Sequence, residues 1–245
     1  MRIVQTLGRA LDFVGEPGVL PYLLRPGKKS LASFRICKAV RSLLPPLGTV
    51  FDVGANQGQF ACAAAHCFPG ARIVSFEPSP KVFPVLQRNT RHLRQLELVQ
   101  SAVGHEAGQL DFFENAYSHA SSALPVNATQ IAMKPETAQT RRISVPVTTL
   151  ETFGAGRDWP HPWLLKLDVQ GFERNVLQGG GDFLKKVDYL LFECSFRPLY
   201  EGETGFPEMY DFVRGLGFEI IAPVGLLEDA NHVMLQNDLL WCRRP

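Results

Sequence analysis

The chain has 245 residues, of which 45% are hydrophobic and 20% charged, and a formal net charge of +1. This length and composition are typical of one α/β domain with a sizeable core, and the near-neutral charge argues against nucleic acid as a partner. Five scattered cysteines without metal-ligand spacing, and no stretch of ~20 apolar residues, predict a cytoplasmic protein in a reducing compartment without stable membrane insertion.

Residues 1–47 are predicted to form an N-terminal helical appendage to a main domain at residues 48–245. Within the appendage, segment 30–44 has apolar residues at helical spacing, and Pro45 and Pro46 end the predicted helix. Two roles fit this amphipathic helix equally well. It is either a lid over a ligand site, or a structural helix that covers one sheet face or forms a contact in a homo-oligomer.

The most informative segment is 49–60, where an apolar run containing Asp52 leads through Gly54 and Gly58 into a segment with helical spacing. This pattern predicts a buried parallel strand that turns sharply into a helix beneath a nucleotide-like ligand. The glycines lack the Cβ atoms that would hold the backbone away from a ligand or strain the turn. Asn56 stands where a dinucleotide fingerprint has its second glycine, against the pyrophosphate. An acid and an amide here favour a cationic ligand with hydroxyls and no phosphate, such as S-adenosylmethionine.

A second acid follows the next predicted strand, 71–77, which ends in Glu77. Rossmann-like folds place an acid about 20 residues after the glycine turn, where it accepts hydrogen bonds from ribose hydroxyls. Pro78 then stops the strand. A simple helix-capping role for Glu77 is the alternative, and the glycine turn upstream favours ribose binding.

The third predicted strand, 96–99, is preceded by a helix at 82–93 and followed by Ser101 and Ala102. The adenine ring is expected beside these two residues. Beyond them, segment 109–147 departs from the alternation of helix and strand.

Short strands are predicted at 110–113 and 143–147, with a polar loop at 114–140 between them. Loops this long inside a compact domain are usually functional or disordered. The loop is predicted to face the acceptor substrate, with Ser121 as a substrate-binding residue. His119, in the same loop, is a candidate general base because histidine titrates near neutral pH. An ordinary solvated histidine is the alternative.

The fourth and fifth predicted strands, 163–168 and 187–193, end in Asp168 and Glu193. A helix at 206–216 follows, and strands at 218–221 and 239–242 are predicted to form an antiparallel hairpin at the sheet edge.

Three motifs in series resemble the FkbM family of S-adenosylmethionine-dependent methyltransferases, at residues 52–58, 76–78 and 166–173, within a pattern that covers about residues 49–193. The resemblance implies a Rossmann-like class I methyltransferase fold with a seven-stranded, mostly parallel sheet. It also implies O-methylation of a saccharide or small natural product. Gln170 is a small departure, since many relatives carry Glu there. The predicted cofactor-binding residues are Asp52, Gly54, Ala55, Asn56, Gly58, Glu77, Pro78, Ser101 and Ala102.

Four acids at one sheet edge favour a ligand site, because ligands lie past the carboxyl ends of parallel strands. Each acid alone also fits a helix cap. Asp168 is the first candidate for a general base or for a group orienting the acceptor, with binding of the cofactor's amino group as its second role. Glu193 is predicted to bind acceptor hydroxyls. Asp168 and Glu193 offer oxygen ligands to Mg²⁺, but without an evident third ligand we predict no metal site.

Three other functions remain open from the residues alone. N-methylation is disfavoured because no Asn-Pro-Pro-Tyr-like clamp is present. A nicotinamide-dependent oxidoreductase is disfavoured by Asn56. A non-catalytic binding domain on the same scaffold is the third.

Overall fold

The computed structural model describes residues 18–228 and 232–244. The strands in these residues are β1 Thr49–Val53, β2 Arg72–Phe76, β3 Leu96–Val99, β4 Ala102–Val103, β5 Gly108–Asn115, β6 Thr140–Thr148, β7 Trp163–Leu167, β8 Tyr189–Ser195, β9 Phe218–Glu228 and β10 Met234–Arg243. The α-helices are α1 Val19–Leu24, α2 Leu31–Leu43, α3 Gln59–Cys67, α4 Phe83–Thr90, α5 Ala128–Met133, α6 Leu150–Gly154, α7 Glu173–Gln178, α8 Gly181–Lys185 and α9 Phe206–Gly215.

Seven strands form the main sheet, in the order β3-β2-β1-β7-β8-β10-β9. β1 is one of its central strands and pairs in parallel with β2 and β7, and β7 pairs in parallel with β8. β10 runs antiparallel to both β8 and β9. The predicted α/β fold, a mostly parallel seven-stranded sheet with an antiparallel C-terminal hairpin, is therefore confirmed.

Hydrophobic clusters cover both faces of this sheet, because neighbouring residues of a strand point to opposite faces. Phe51 of β1 belongs to the cluster under α6–α9, whereas Val50 belongs to the cluster under α1–α3. Small side chains on α3, including Ala61 and Ala64, are fully buried in the second cluster. Both faces of the central strands are thus sealed, and ligands must approach the sheet at an edge.

The described part of the appendage packs on the second cluster through α1 and α2. The predicted helix at 30–44 corresponds to α2, and its first turn is capped by the Ser30 side chain, which accepts a hydrogen bond from the Ser33 backbone N–H at 3.2 Å. Residues 1–17 of the predicted appendage lie outside the described residues. Within the described residues, no helix has the length and apolar character needed to cross a membrane.

A second sheet, of order β4-β6-β5, was not predicted. β5 and β6 pair antiparallel over eight residue pairs and are longer than the predicted strands at 110–113 and 143–147. The loop expected at 114–140 contains α5 and 3₁₀ turns at 118–120 and 135–138. Asn127 caps α5, since its side chain accepts a hydrogen bond from the Gln130 N–H. A polar residue of the predicted loop therefore begins a short helix.

Replacing Trp163 with alanine is expected to lower the free energy of unfolding by about 3–5 kcal/mol. The indole is 1% exposed and packs edge-on against Phe51 and Trp159, so its removal leaves a cavity in the core. Urea unfolding measures the loss. Leu24→Ala, at a side chain that is 78% exposed, is the control and should change stability by less than about 0.5 kcal/mol. Equal losses in the two variants would contradict this assignment of the core.

Candidate active site

Two adjoining cavities lie at the carboxyl edge of the parallel strands. Together with the space that is open to solvent, the first measures about 670 Å³ and the second about 1220 Å³. Both are lined by the same set of residues where they meet, namely Gly54, Asn56, His119, Asp168 and Gln170. Most of the predicted site residues line one cavity or the other, and the exceptions are Asp52 and Gly58.

Glu77 forms a polar wall of the first cavity. Its carboxylate accepts hydrogen bonds from the backbone N–H groups of Asn56 and Ser79, each at 2.8 Å. Burial raises the pKa of Glu77 to about 7, although these two hydrogen bonds and Lys166 act in the opposite direction. The Ser79 side chain accepts a hydrogen bond from the Val82 N–H just before α4, and Glu77 makes no hydrogen bond to the first turn of that helix within the described residues.

The rest of the first cavity is largely apolar. The Ser101 hydroxyl is already engaged, because it hydrogen-bonds to the carbonyl oxygens of Ala102 and Pro146. A slot between hydrocarbon side chains, with a carboxylate at one end, has the shape and chemistry that a nucleoside requires. The apolar walls are formed by Val53, Phe76, Val82, Val103, Leu110, Phe112 and Phe172.

The glycines of the first turn are required by their backbone conformation and by close packing. Both have positive φ, +82° at Gly54 and +90° at Gly58. A Cβ on Gly54 would lie 2.0 Å from the carbonyl oxygen of Asp168, and one on Gly58 would lie 2.7 Å from Cγ2 of Thr90. The neighbouring strand end and α4 therefore exclude a side chain, and Gly58 lines neither cavity.

Asp52 departs most clearly from its predicted position. It is fully buried and lines neither cavity, because Lys166 Nζ donates a hydrogen bond to its Oδ1 at 2.8 Å and the Ser75 hydroxyl donates to its Oδ2 at 3.2 Å. Burial alone lowers the pKa of Lys166, but the charges of Asp52 and Asp168 outweigh it and raise the pKa overall. Asp52 is thus neutralised beneath the site rather than presented to a ligand.

Lys166 itself lines the second cavity and was not predicted as a site residue. A lysine in the buried strand 163–167 was the available signal, because lysine is almost never fully buried without a partner.

Asp168 lies where the cavities meet and is held from two sides. Gln170 Nε2 donates a hydrogen bond to its Oδ1 at 2.7 Å, and Lys166 Nζ lies 3.5 Å from its Oδ2. The Tyr200 hydroxyl in turn donates to Gln170 Oε1 at 2.7 Å. Gln170 has φ of +57°, an uncommon conformation that aims its side chain at Asp168. Sequence reasoning noted Gln170 within a motif but gave it no role.

His119 is brought to the same junction by the 3₁₀ turn at 118–120. Burial lowers its pKa, so the imidazole is neutral at pH 7, although Asp168 opposes this shift. Its Nε2 lies 3.2 Å from Gln59 Nε2, an amide donor, which assigns the ring proton to Nδ1. Gln59 Oε1 is buried without a hydrogen-bond partner among the described residues, and a ligand donor would satisfy it.

Ser121 and Glu193 line different cavities. Ser121 lines the first cavity and not the second, and its hydroxyl accepts a hydrogen bond from the Asn115 N–H. Glu193 lines the second cavity, together with Asp238, which sequence reasoning missed. Within residues 18–228 and 232–244, no group of three or more His, Cys, Asp and Glu side chains is arranged to hold a metal ion.

Comparison with known proteins decides the family. The Methyltransferase FkbM domain matches residues 52–220, well over half of the chain. The chain belongs to the FkbM methyltransferase family. The match includes the residues at which the two cavities meet, from Gly54 to Gln170, and Glu193 of the second cavity. It disfavours the nicotinamide-dependent alternative.

Three relatives are similar to this protein over most of the chain. The 2-O-methyltransferase NoeI of Sinorhizobium fredii is 26% identical over 87% of this chain and 89% of its own length. The 31-O-demethyl-FK506 methyltransferase FkbM of Streptomyces tacrolimicus is 30% identical over 73% and 75%, respectively. The hexuronic acid methyltransferase AglP of Haloferax volcanii is 24% identical over 78% and 66%.

Membership of this family implies S-adenosylmethionine as the methyl donor, and the residues present fit it. Glu77 offers hydrogen-bond acceptors to ribose hydroxyls, and the apolar walls of the first cavity suit an aromatic base. The carboxylates that remain open to the cavities suit a cation better than a diphosphate.

Replacing Lys166 with methionine is expected to lower the free energy of unfolding by about 3–5 kcal/mol, because Asp52 would be left buried without its partner. The double variant Lys166→Met with Asp52→Asn should recover part of that loss, since no unpaired charge remains. Denaturant unfolding of the two single variants and the double variant measures the coupling. Additive losses would show that the ion pair contributes nothing beyond its parts.

Proposed function

We propose that this enzyme transfers a methyl group from S-adenosylmethionine to a hydroxyl oxygen of a saccharide or small natural product. The observation that carries the proposal is the shared boundary of the two cavities, where Asn56, His119, Asp168 and Gln170 face both. A donor in one cavity and an acceptor in the other would meet at these side chains. The names of the relatives, a 2-O- and a 31-O-methyltransferase among them, support oxygen rather than nitrogen as the acceptor atom.

The first cavity holds the nucleoside part of the donor in this proposal. Glu77 accepts hydrogen bonds from the ribose hydroxyls, and the adenine ring lies beside Ser101 and Ala102. Gly54 and Asn56 support the donor near the cavity boundary. S-adenosylmethionine, when bound, supplies an electrophilic methyl group on a positively charged sulfur.

Asp168 is the group proposed to orient the acceptor hydroxyl and to take its proton. The acceptor oxygen that loses this proton is the one that receives the methyl group. Gln170 and Lys166 hold the Asp168 carboxylate in one orientation, which reduces the loss of entropy on reaching the reactive arrangement. His119 ranks second as the proton acceptor. The lone pair of its neutral imidazole lies on Nε2, and that atom is already 3.2 Å from the amide nitrogen of Gln59.

The division of the chain into an appendage at 1–47 and a catalytic domain at 48–245 is also a proposal. It is supported by the two faces of α2. Phe34 and Cys37 pack into the core cluster, while Ser33 and Ile36 line the second cavity. The appendage therefore covers a sheet face and contributes a wall to the proposed acceptor site.

Calorimetric titration with S-adenosylhomocysteine is expected to give saturable binding, whereas NAD should give none. The affinity should rise between about pH 6 and pH 8, because the raised pKa of Glu77, about 7, makes its carboxylate ionise in that range and an ionised carboxylate accepts stronger hydrogen bonds.

The Glu77→Gln variant should bind more weakly and lose this part of the pH dependence, since glutamine does not titrate. Saturation by NAD without binding of S-adenosylhomocysteine would refute the proposed function. An unchanged pH dependence in Glu77→Gln would refute the role of Glu77.

Asp168→Asn is expected to lower turnover about 10²- to 10⁴-fold, the range for loss of a general base, while the dissociation constant of S-adenosylhomocysteine changes less than about threefold. Transfer of labelled methyl to a panel of methyl glycosides measures turnover. Asp158→Asn, at an exposed acid outside both cavities, is the matched control and should behave like the wild type.

If Asp168→Asn weakens cofactor binding as much as it lowers turnover, Asp168 binds the donor's amino group instead. If His119→Asn lowers turnover more than Asp168→Asn does, with cofactor affinity unchanged, His119 is the general base instead.

A further inference from the structure

A row of three acids crosses the floor of the second cavity at one level of the sheet. β7 and β8 pair in the register Leu167–Phe192, so the residues that follow, Asp168 and Glu193, lie side by side. Glu193 is in turn the register partner of Asp238 on β10. Side chains at one level of neighbouring strands project from the same face, and all three acids line the second cavity. The row therefore leads outward from the boundary with the first cavity.

Glu193 and Asp238 differ from Asp168 in having no protein partner. Neither side chain makes a hydrogen bond or an ion pair within the described part of the chain, whereas Asp168 is bonded by Gln170 and lies near Lys166. Both side chains are half-buried and line the large cavity. A half-buried polar group that no protein atom satisfies needs a ligand or water as its partner.

Burial and the neighbouring acids favour the protonated forms of both carboxyl groups. Burial raises the pKa of Glu193 well above its usual value, and Asp238, Asp168, Glu173 and Glu203 add to the effect. Burial and Asp168 raise the pKa of Asp238 to about 6, with Lys166 acting in the opposite direction. A protonated carboxyl group donates one O–H hydrogen bond, and the oxygens of both groups keep acceptor lone pairs.

Gly225 on β9 makes room for this arrangement. It is the register partner of Asp238, and a Cβ at Gly225 would lie 2.0 Å from Asp238 Oδ2. The missing side chain lets the Asp238 carboxyl group extend over the neighbouring strand while it still faces the cavity. A residue with a side chain at position 225 would therefore displace the Asp238 carboxyl group.

The cations that line the second cavity do not neutralise the pair. Lys166 is already bonded to Asp52. Lys134 lies at the end of α5 on another wall, 5.1 Å from the centre of the Tyr117 ring. A carboxylate on the acceptor would therefore be repelled by the floor of the cavity, whereas hydroxyl groups would find both donors and acceptors there.

We infer that Glu193 and Asp238 bind two neighbouring hydroxyls of the acceptor, and that the acceptor presents a neutral polyhydroxylated unit to this floor rather than a uronic acid. This inference rests on the proposed function and specifies its substrate class. It also separates this enzyme from its relative AglP, whose name is that of a hexuronic acid methyltransferase.

Ligand-observed saturation-transfer NMR on the protein loaded with S-adenosylhomocysteine tests the inference. The probes are the methyl glycosides of glucose, galactose and mannose and the methyl glycosides of the three corresponding uronic acids, which differ only at the sixth carbon. At a pH of about 7.5, at least one neutral glycoside is expected to bind at least about tenfold more tightly than its uronic acid, since one like charge at this range costs on the order of a tenfold change.

Asp238→Asn and Glu193→Gln should each weaken binding of that neutral glycoside about tenfold, since each keeps the shape and removes an acceptor. The double variant should also lose most of the preference over the uronic acid. Glu219→Gln, at an exposed acid on β9 paired with Arg244, is the matched control and should leave both affinities unchanged. Unchanged affinity for S-adenosylhomocysteine in every variant separates an effect on acceptor binding from a general loss of structure.

Three results would overturn the inference: a uronic acid that binds as tightly as its neutral partner, amide variants that keep the wild-type affinity and preference, or no binding by any neutral glycoside to protein that is loaded with S-adenosylhomocysteine. Failure to bind S-adenosylhomocysteine at all would instead refute the proposed function on which the inference rests.

Discussion

The buried ammonium group of Lys166 is the interaction on which the rest of the site depends. It is bonded to Asp52 of the central strand and to the carbonyl oxygen of Gly54, and it lies 3.5 Å from Asp168. A buried charge is costly unless it is paired and hydrogen-bonded, so these groups are constrained to one arrangement. The lysine thereby joins the glycine turn after β1 to the strand end after β7. These are the two segments that form the boundary between the cavities.

The same edge of the sheet carries five acids, and they differ in how they are held. Asp52 is neutralised by Lys166, Glu77 accepts two backbone N–H groups, and Asp168 is oriented by Gln170. Glu193 and Asp238 line the second cavity and are unpaired within the described residues. Acids that look alike in sequence are therefore of three kinds: one in a buried ion pair, two held by hydrogen bonds, and two that are unpaired.

Much of the fold follows from local patterns. Apolar runs at 49–53 and 163–167 predict buried parallel strands, and the strand ends predict where ligands lie. The small sheet of β4, β5 and β6 was not predictable in the same way. Its strands alternate weakly in burial, and its pairing joins segments that are about thirty residues apart along the chain. The polar region between β5 and β6 forms short helices, and this becomes evident only once the two strands are paired.

The seven strands of the main sheet, the glycine turn and most of the acids at the site can be read from the sequence, because each of these depends on residues close together in the chain. Which of those acids line a cavity depends instead on how distant strands pair in the folded sheet. Asp52 lines no cavity because it is paired with Lys166 on the neighbouring strand, and Asp238 lines the second cavity because β10 pairs with β8. Such outcomes depend on contacts between residues that are 114 or 45 positions apart, respectively (166 − 52 and 238 − 193). No local pattern encodes the distance between two side chains that only the folded sheet brings together.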